Sequence, residues 1–450
     1  MNKILSLAIV LSLAMAAHAQ SNWPSFMGPT RDGVWHEKNT IDRFGKGGPK
    51  IAWRRKIGAG YGGAAVVDGR LYVMERTKDK AKGQKVENAI RRAGVIPGGE
   101  RVLCLDVKTG KPIWSHPYDC PYKIAYPTGP RTTPTVDGDR VYTLGAMGRL
   151  ICLNAKSGKV AWEKELTKAY QTKPPFWGYS SPPLVLGKLV YVPVGGKGSG
   201  IVAFDKATGK EVWKAVTTLD IAYAPLVLFQ SGGPKQLIFW HADGVDSLNP
   251  QTGKVYWNVK FPHQRNPSQT SIAMPRIAGN KVFISEYYKG SLLLEVKSNP
   301  PGVVEKHRSS KSDPRNRSSL NTLMASPVVK DGYAYGVAND ARGKGIFRCI
   351  ELATGKMKWS KKDWLAKQPI VFATAFLIEN GDKYFLFNDL GELMIVRLSP
   401  KGFELLDKAK ILETSGVARG REVVWCMPAC ANGHMYIRND KEIVSIDLRK

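Results

Sequence analysis

The side chains best able to hold a metal or to act as base or nucleophile are scattered along this chain. Its seven histidines, of which His18 falls in the apolar N-terminal stretch, show none of the spacings by which imidazoles share a metal ion. No Ser-His-Asp set and no pair of carboxylates stands out as nucleophile, acid and base. No C-x-x-C-H marks an attached haem. Of the six cysteines, Cys104, Cys152 and Cys349 occupy one position of a repeated motif, as buried packing residues do. For Cys426 and Cys430, four apart, spacing leaves open whether they pair with each other or with Cys120. The expectation is no catalytic residue and no metal site. What remains is a set of aromatic and hydroxyl-bearing residues whose chemistry is stacking and hydrogen bonding.

The elements that would carry them follow from one motif. IVAFDKATGKEVW (201–213) returns as VLCLDVKTGKPIW (102–114), LICLNAKSGKVAW (150–162), VDSLNPQTGKVYW (245–257) and FRCIELATGKMKW (347–359). Val102, Cys104 and Asp106 alternating with Leu103 and Leu105 suit a strand half buried on each side, and Asp106 or Asp205 with the following Thr-Gly makes a hairpin turn. Gly110, Gly158, Gly209, Gly253 and Gly355 can take the positive φ of that turn. Four residues later Trp114, Trp162, Trp213, Trp257 and Trp359 place a large ring where it can fill the gap between sheets. All these positions read as structural.

A second series, a short apolar strand, a turn and another strand, occurs eight times, from GGAAVVDGRLYV (62–73) to CMPACANGHMYIR (426–438). Degenerate turns at 298–302 and 399–402 fill the gaps in the first series. Ile51-Ala52-Trp53 is the second half of a repeat lacking its first, and residues 442–447 are a first half lacking its second. Together they make one unit, as a closed ring requires. The predicted fold is all-β, an eight-bladed β-propeller of four-stranded antiparallel blades over 51–450, closed by pairing of its N- and C-terminal strands.

Residues 1–19 have the basic start, apolar run and Ala17-His18-Ala19 ending of a signal peptide cleaved after Ala19, followed by an irregular lead-in over 20–50. No other run is long and apolar enough for a transmembrane segment, so a periplasmic or secreted protein, monomeric, is expected. The formal net charge of +29 favours anionic partners, and secretion disfavours nucleic acid among them. An envelope protein or an anionic polysaccharide is the expected partner. Two basic insertions, 77–100 and 305–321, read as solvated loops, the first with room for a short helix.

The D-x-x-T-G-x-x-x-W repeat resembles that of the pyrroloquinoline quinone (PQQ)-type β-propellers, a superfamily that includes quinoprotein alcohol and glucose dehydrogenases and the outer-membrane assembly lipoprotein BamB. The resemblance covers 51–450. The lead-in, with Asn22-Trp23-Pro24, Phe26, Gly28-Pro29 and Arg31-Asp32-Gly33, is similar to the opening of secreted bacterial members, a subgroup for which it implies no particular activity. Adjacent cysteines like those of the quinoprotein alcohol dehydrogenases are missing, as is a recognisable set of Ca²⁺-binding acids. The lipidation cysteine of a BamB-like lipoprotein is missing too.

In such a ring, the segments entering the innermost strands surround one mouth of the central channel. They carry Tyr61, Arg131, Thr132, Trp177, Tyr179, Ser180, Tyr223, Ser271, Asn321 and Trp425, with Thr270 and Thr322 beside them. Arg131 suits a carboxylate or sulfate, and the aromatic residues suit a sugar or quinone ring or simply fill the channel. The function expected is a non-catalytic binding or scaffold protein without cofactor. The resemblance implies two alternatives: a PQQ- and Ca²⁺-dependent alcohol or sugar oxidoreductase, and a BamB-like outer-membrane assembly scaffold.

Overall fold

The computed structural model describes residues 21–77, 94–262, 270–309, 319–340, 342–367, 370–418 and 420–450. The expected signal peptide, most of the first insertion with its expected helix, and the middle of the second lie outside them.

Eight four-stranded antiparallel sheets succeed one another around a ring. The third is representative: Leu184–Leu186, Leu189–Pro193, Ile201–Asp205 and Glu211–Ala215, each hydrogen-bonded to the next. Its two middle strands are apolar almost throughout because both faces of the sheet are covered by neighbouring blades. In the outermost strand only Trp213 is buried. The eighth blade is shared between the chain ends: Ala429–Ala431, His434–Arg438 and Glu442–Asp447 are completed by Lys50–Lys56. Lys50 lies opposite Asp447 and Trp53 opposite Ser445, so the last strand closes on the first.

The repeated turns and tryptophans interlock between blades. Trp53, Trp114, Trp162 and Trp213 each donate the indole N–H to a carbonyl in the next blade's turn, those of Val107, Ala155, Lys206 and Pro250, at 2.9–3.0 Å. The turn glycine lies against the same ring: a Cβ on Gly209 (φ +71°) would stand 2.6 Å from Trp162. Glycine is thus required twice, by backbone conformation and by contact. The fifth blade departs from this pattern. His307 stands opposite Leu293, in the register that Trp359 holds against Cys349, and a Cβ on Gly355 would fall on its ring. Trp257 turns instead to Gln236 of its own blade, at 2.9 Å.

The second insertion begins later than expected, because Glu305 to Arg308 belong to the strand Pro301–Arg308, paired along Gly290–Ser298. A helical turn at Leu166–Ala169 and a hairpin at Gly416–Ala418 and Arg421–Val423 are additions to the blades that carry no repeat signature. All six cysteines are free and buried, and burial pushes the Cys104 and Cys426 thiols up to about 12. Among the described residues no helix is long and apolar enough to cross a membrane.

The lead-in is irregular but firmly placed. It lies across the inner strands, further along them than the residues that precede those strands. Trp23 exchanges backbone hydrogen bonds with Val66, and the Pro24 carbonyl accepts from Val136. Further on, Gly33 and Trp35 bond to either side of Glu379. Inner edges of three blades thereby gain partners for their backbone groups. Trp23, Met27 and Trp35 are buried in the main core cluster. The Arg31 and Arg276 guanidiniums are enclosed with them, and burial pulls each down to about 10.

Candidate functional site

Just ahead of the inner strands the connections converge on a funnel of about 190 Å³. Of the residues singled out in the sequence, Tyr61, Arg131, Trp177, Ser180, Tyr223 and Trp425 line it, as does Thr270. The other four stand behind its wall. Thr132 is fully buried and donates to the Leu144 carbonyl at 2.6 Å, and Tyr179 donates to Val194 at 2.7 Å. Ser271 is buried and its carbonyl accepts from the Tyr223 N–H. Asn321 ties Tyr287 to Asn339 through its amide. These residues hold the wall in position.

Sequence reasoning missed more than half of the lining. Tyr126, Phe372 and Phe376 come from connections between blades or the inner strand itself, and Tyr287 with Tyr288 from the loop joining the second and third strands of the fifth blade. A signal was available for the last pair: a chain that enters the inner strand at the mouth returns there at the end of the second strand. Ile272, Leu323 and Met324 complete the surface.

Ring pairs build the wall. Trp177 packs on Tyr223 with centroids 5.1 Å apart, Trp425 stands 6.4 Å from Tyr61 and 6.2 Å from Tyr126, and Tyr287 lies 5.7 Å from Phe372. The polar atoms among them are largely engaged by the protein itself. The Tyr61 hydroxyl donates to Thr128 at 3.0 Å, that of Tyr223 accepts from the Trp177 N–H at 3.2 Å, and Ser180 donates to the Tyr223 carbonyl at 3.2 Å. Thr270 donates to Glu286. Burial pushes the Tyr61 hydroxyl up to about 12 and raises Tyr223 as well, so both stay neutral.

Arg131 is not available for a carboxylate or sulfate, contrary to its reading from sequence. Its guanidinium donates to the carbonyls of Trp177 and Ala125, each at 2.7 Å, and to those of Gly129 and Tyr126. It also lies over the Tyr61 ring, 5.3 Å from the centroid. It ties the 125–131 connection to its neighbour and shapes the funnel.

PQQ is a flat tricarboxylic quinone, bound in dehydrogenases with a Ca²⁺ ion that needs several oxygen ligands. The residues of this funnel do not fit that pair. Among the described residues no acid lines it, and the one arginine there is committed to backbone carbonyls. The carboxylates nearby are buried and engaged by the protein: Glu100 by the Tyr118 and Tyr122 hydroxyls, Glu286 by Thr270 and the Tyr288 N–H, and Asp389, through Oδ2 alone, by Arg421 and the Thr374 N–H. Among the described residues no three His, Cys, Asp or Glu side chains converge as metal ligands.

The eight blades, the Gly–Trp interlock and a funnel at the channel mouth define a β-propeller of the PQQ-repeat class. Residues 98–361, more than half of the chain, match the family model described as outer membrane protein assembly factor BamB, and the chain belongs to that family. Solved structures agree on the fold. BamB from Moraxella catarrhalis, 14% identical, superposes with a TM-score of 0.58 over 89% of this chain and 99% of its own. Quinohemoprotein alcohol dehydrogenase from Comamonas testosteroni, also 14% identical, gives 0.58 over 95% and 80%. A europium-containing methanol dehydrogenase gives 0.59 at 14% identity, over 95% and 89%. Among curated proteins none matches.

Proposed function

We propose that this is a non-catalytic binding or scaffold propeller of the cell envelope, which recognises a partner protein through the end that carries the funnel. The observation behind this reading is the chemistry of the lining among the described residues: ring faces and aliphatic side chains, no acid, and an arginine engaged by backbone carbonyls. Such a surface offers no base, no cation ligands and no partner for a polyanionic cofactor. It does offer the buried aromatic centre around which protein interfaces concentrate their affinity. Membership of the BamB family supports a role in assembly, and the N-terminal 19 residues support export.

The mature protein, titrated with PQQ and Ca²⁺, should neither bind stoichiometrically nor support dye-linked alcohol oxidation. A tight complex with turnover would replace this reading by the dehydrogenase one. An anionic polysaccharide is the second reading, supported by the net charge of +29 and not by the funnel. It requires retention on a sulfated resin that falls steeply as salt rises.

A further inference from the structure

We propose that the funnel holds one uncharged aromatic ring system, of phenol or indole size, presented free or as a side chain of the partner. The inference rests on the binding-protein reading and names what the site takes. Size sets the first limit. An apolar cavity of about 150 Å³ accommodates benzene, and the funnel, open at its mouth, offers about 190 Å³ among its rings, room there for one ring or two fused ones.

Polarity sets the second. Tyr61, Ser180 and Thr270 spend their hydroxyl protons on Thr128, the Tyr223 carbonyl and Glu286, which leaves the Tyr223 hydroxyl as the one donor among these four, too few for the several hydroxyls of a sugar. A carboxylate would find no guanidinium edge to pair with, because Arg131 turns its N–H groups to four carbonyls, so only attraction at a distance would offset the water it loses.

Charge of the other sign is excluded for a different reason. Tyrosines and tryptophans gathered without acids are the material of cation-binding cages. Here the cation is built in, since Arg131 lies 5.3 Å from the Tyr61 ring, and a second would enter against it and against a strongly basic chain. A neutral ring faces neither penalty. The tilted Trp177–Tyr223 and Tyr61–Trp425 pairs, at 40–44° between planes, expose both edges and faces to it.

The test is titration of the mature chain, by calorimetry and by quenching of tryptophan fluorescence, with phenol, indole, benzoate, choline and an acetylated, amidated Gly-Trp-Gly tripeptide. Phenol and indole should bind one to one, and benzoate and choline at least tenfold more weakly. Met324→Trp, which places a ring in the funnel, should weaken indole at least tenfold with the melting curve unchanged; Leu323→Phe serves if that variant does not fold. A tripeptide binding tenfold more tightly than indole assigns the ring to a partner protein, and indole equal or tighter assigns it to a free small molecule. Benzoate or choline matching indole, or indole binding untouched by the filled funnel, overturns the proposal. Silence of every aromatic probe overturns it too while leaving the binding-protein reading intact, whereas stoichiometric PQQ with Ca²⁺ and turnover overturns that reading itself.

Discussion

Arg131 shows how a charged side chain at a channel mouth can serve the wall and not the guest. Its guanidinium fork gathers carbonyls from 125, 126, 129 and 177, which no other donor nearby is placed to satisfy together. Arg131→Ala should therefore destabilise the fold by about 2–4 kcal/mol in chemical denaturation, since it leaves buried carbonyls unpaired. Arg131→Lys should recover less than half of that, because one ammonium cannot span the fork. A loss of binding with no loss of stability would show instead that the residue serves a ligand. The misreading has a physical source. A lone cation in a polar aromatic list signals a ligand, but the carbonyls that capture it lie on connections whose path no periodicity encodes. The same holds for Thr132, Tyr179, Ser271 and Asn321, which stand behind the wall: position next to a strand is legible in the sequence, while the direction a side chain takes there is not. At this scale the cysteines also make a prediction. Six free, buried thiols mean that the melting temperature should be the same with and without reductant.

At the scale of elements, the unit that repeats is an interlock between blades and not the blade alone. An indole of one sheet caps the turn of the next, donates to its carbonyl, and leaves no room for a Cβ on its glycine. Two glycines separate the contributions. Gly187 (φ +60°) has nothing within 4 Å of a Cβ, whereas at Gly209 (φ +71°) that atom would meet Trp162 at 2.6 Å. Gly187→Ala should cost about 1 kcal/mol for its backbone conformation alone. Gly209→Ala should cost 1–3 kcal/mol more, because the indole must move. Equal losses in parallel denaturation curves would show that the contact is not limiting. This coupling is why the blade count could be read from the chain. Glycine and tryptophan at fixed spacing are both needed, so their signature persists. Where His307 takes the ring's place and residues 298–302 take the turn's, the signature vanishes although the strand pairing does not.

At the scale of the whole molecule, the ring depends on the pairing of Lys50–Lys56 with Glu442–Asp447. Asp447 anchors that seam. Hydrogen bonds from the Arg449 guanidinium first, then from its backbone N–H and from Lys50, hold the carboxyl well below the usual carboxylate range despite partial burial. A carboxyl depressed on folding adds stability that is complete above its unfolded value, about 3.9, and is lost as pH falls through the folded value. Acid unfolding below about pH 4 should thus be shallower in Asp447→Asn, which should also be about 1 kcal/mol less stable at neutral pH. Identical acid limbs would place the seam's pH response elsewhere. The lead-in, bonded to Val66, Val136 and Glu379 beyond the aromatic well, has a consequence for traffic. Since Arg31 and the Asp32 carbonyl also reach Leu226 and Arg276, a guest settled among the rings should depart by the doorway it used, and a partner seated over that doorway should slow its release.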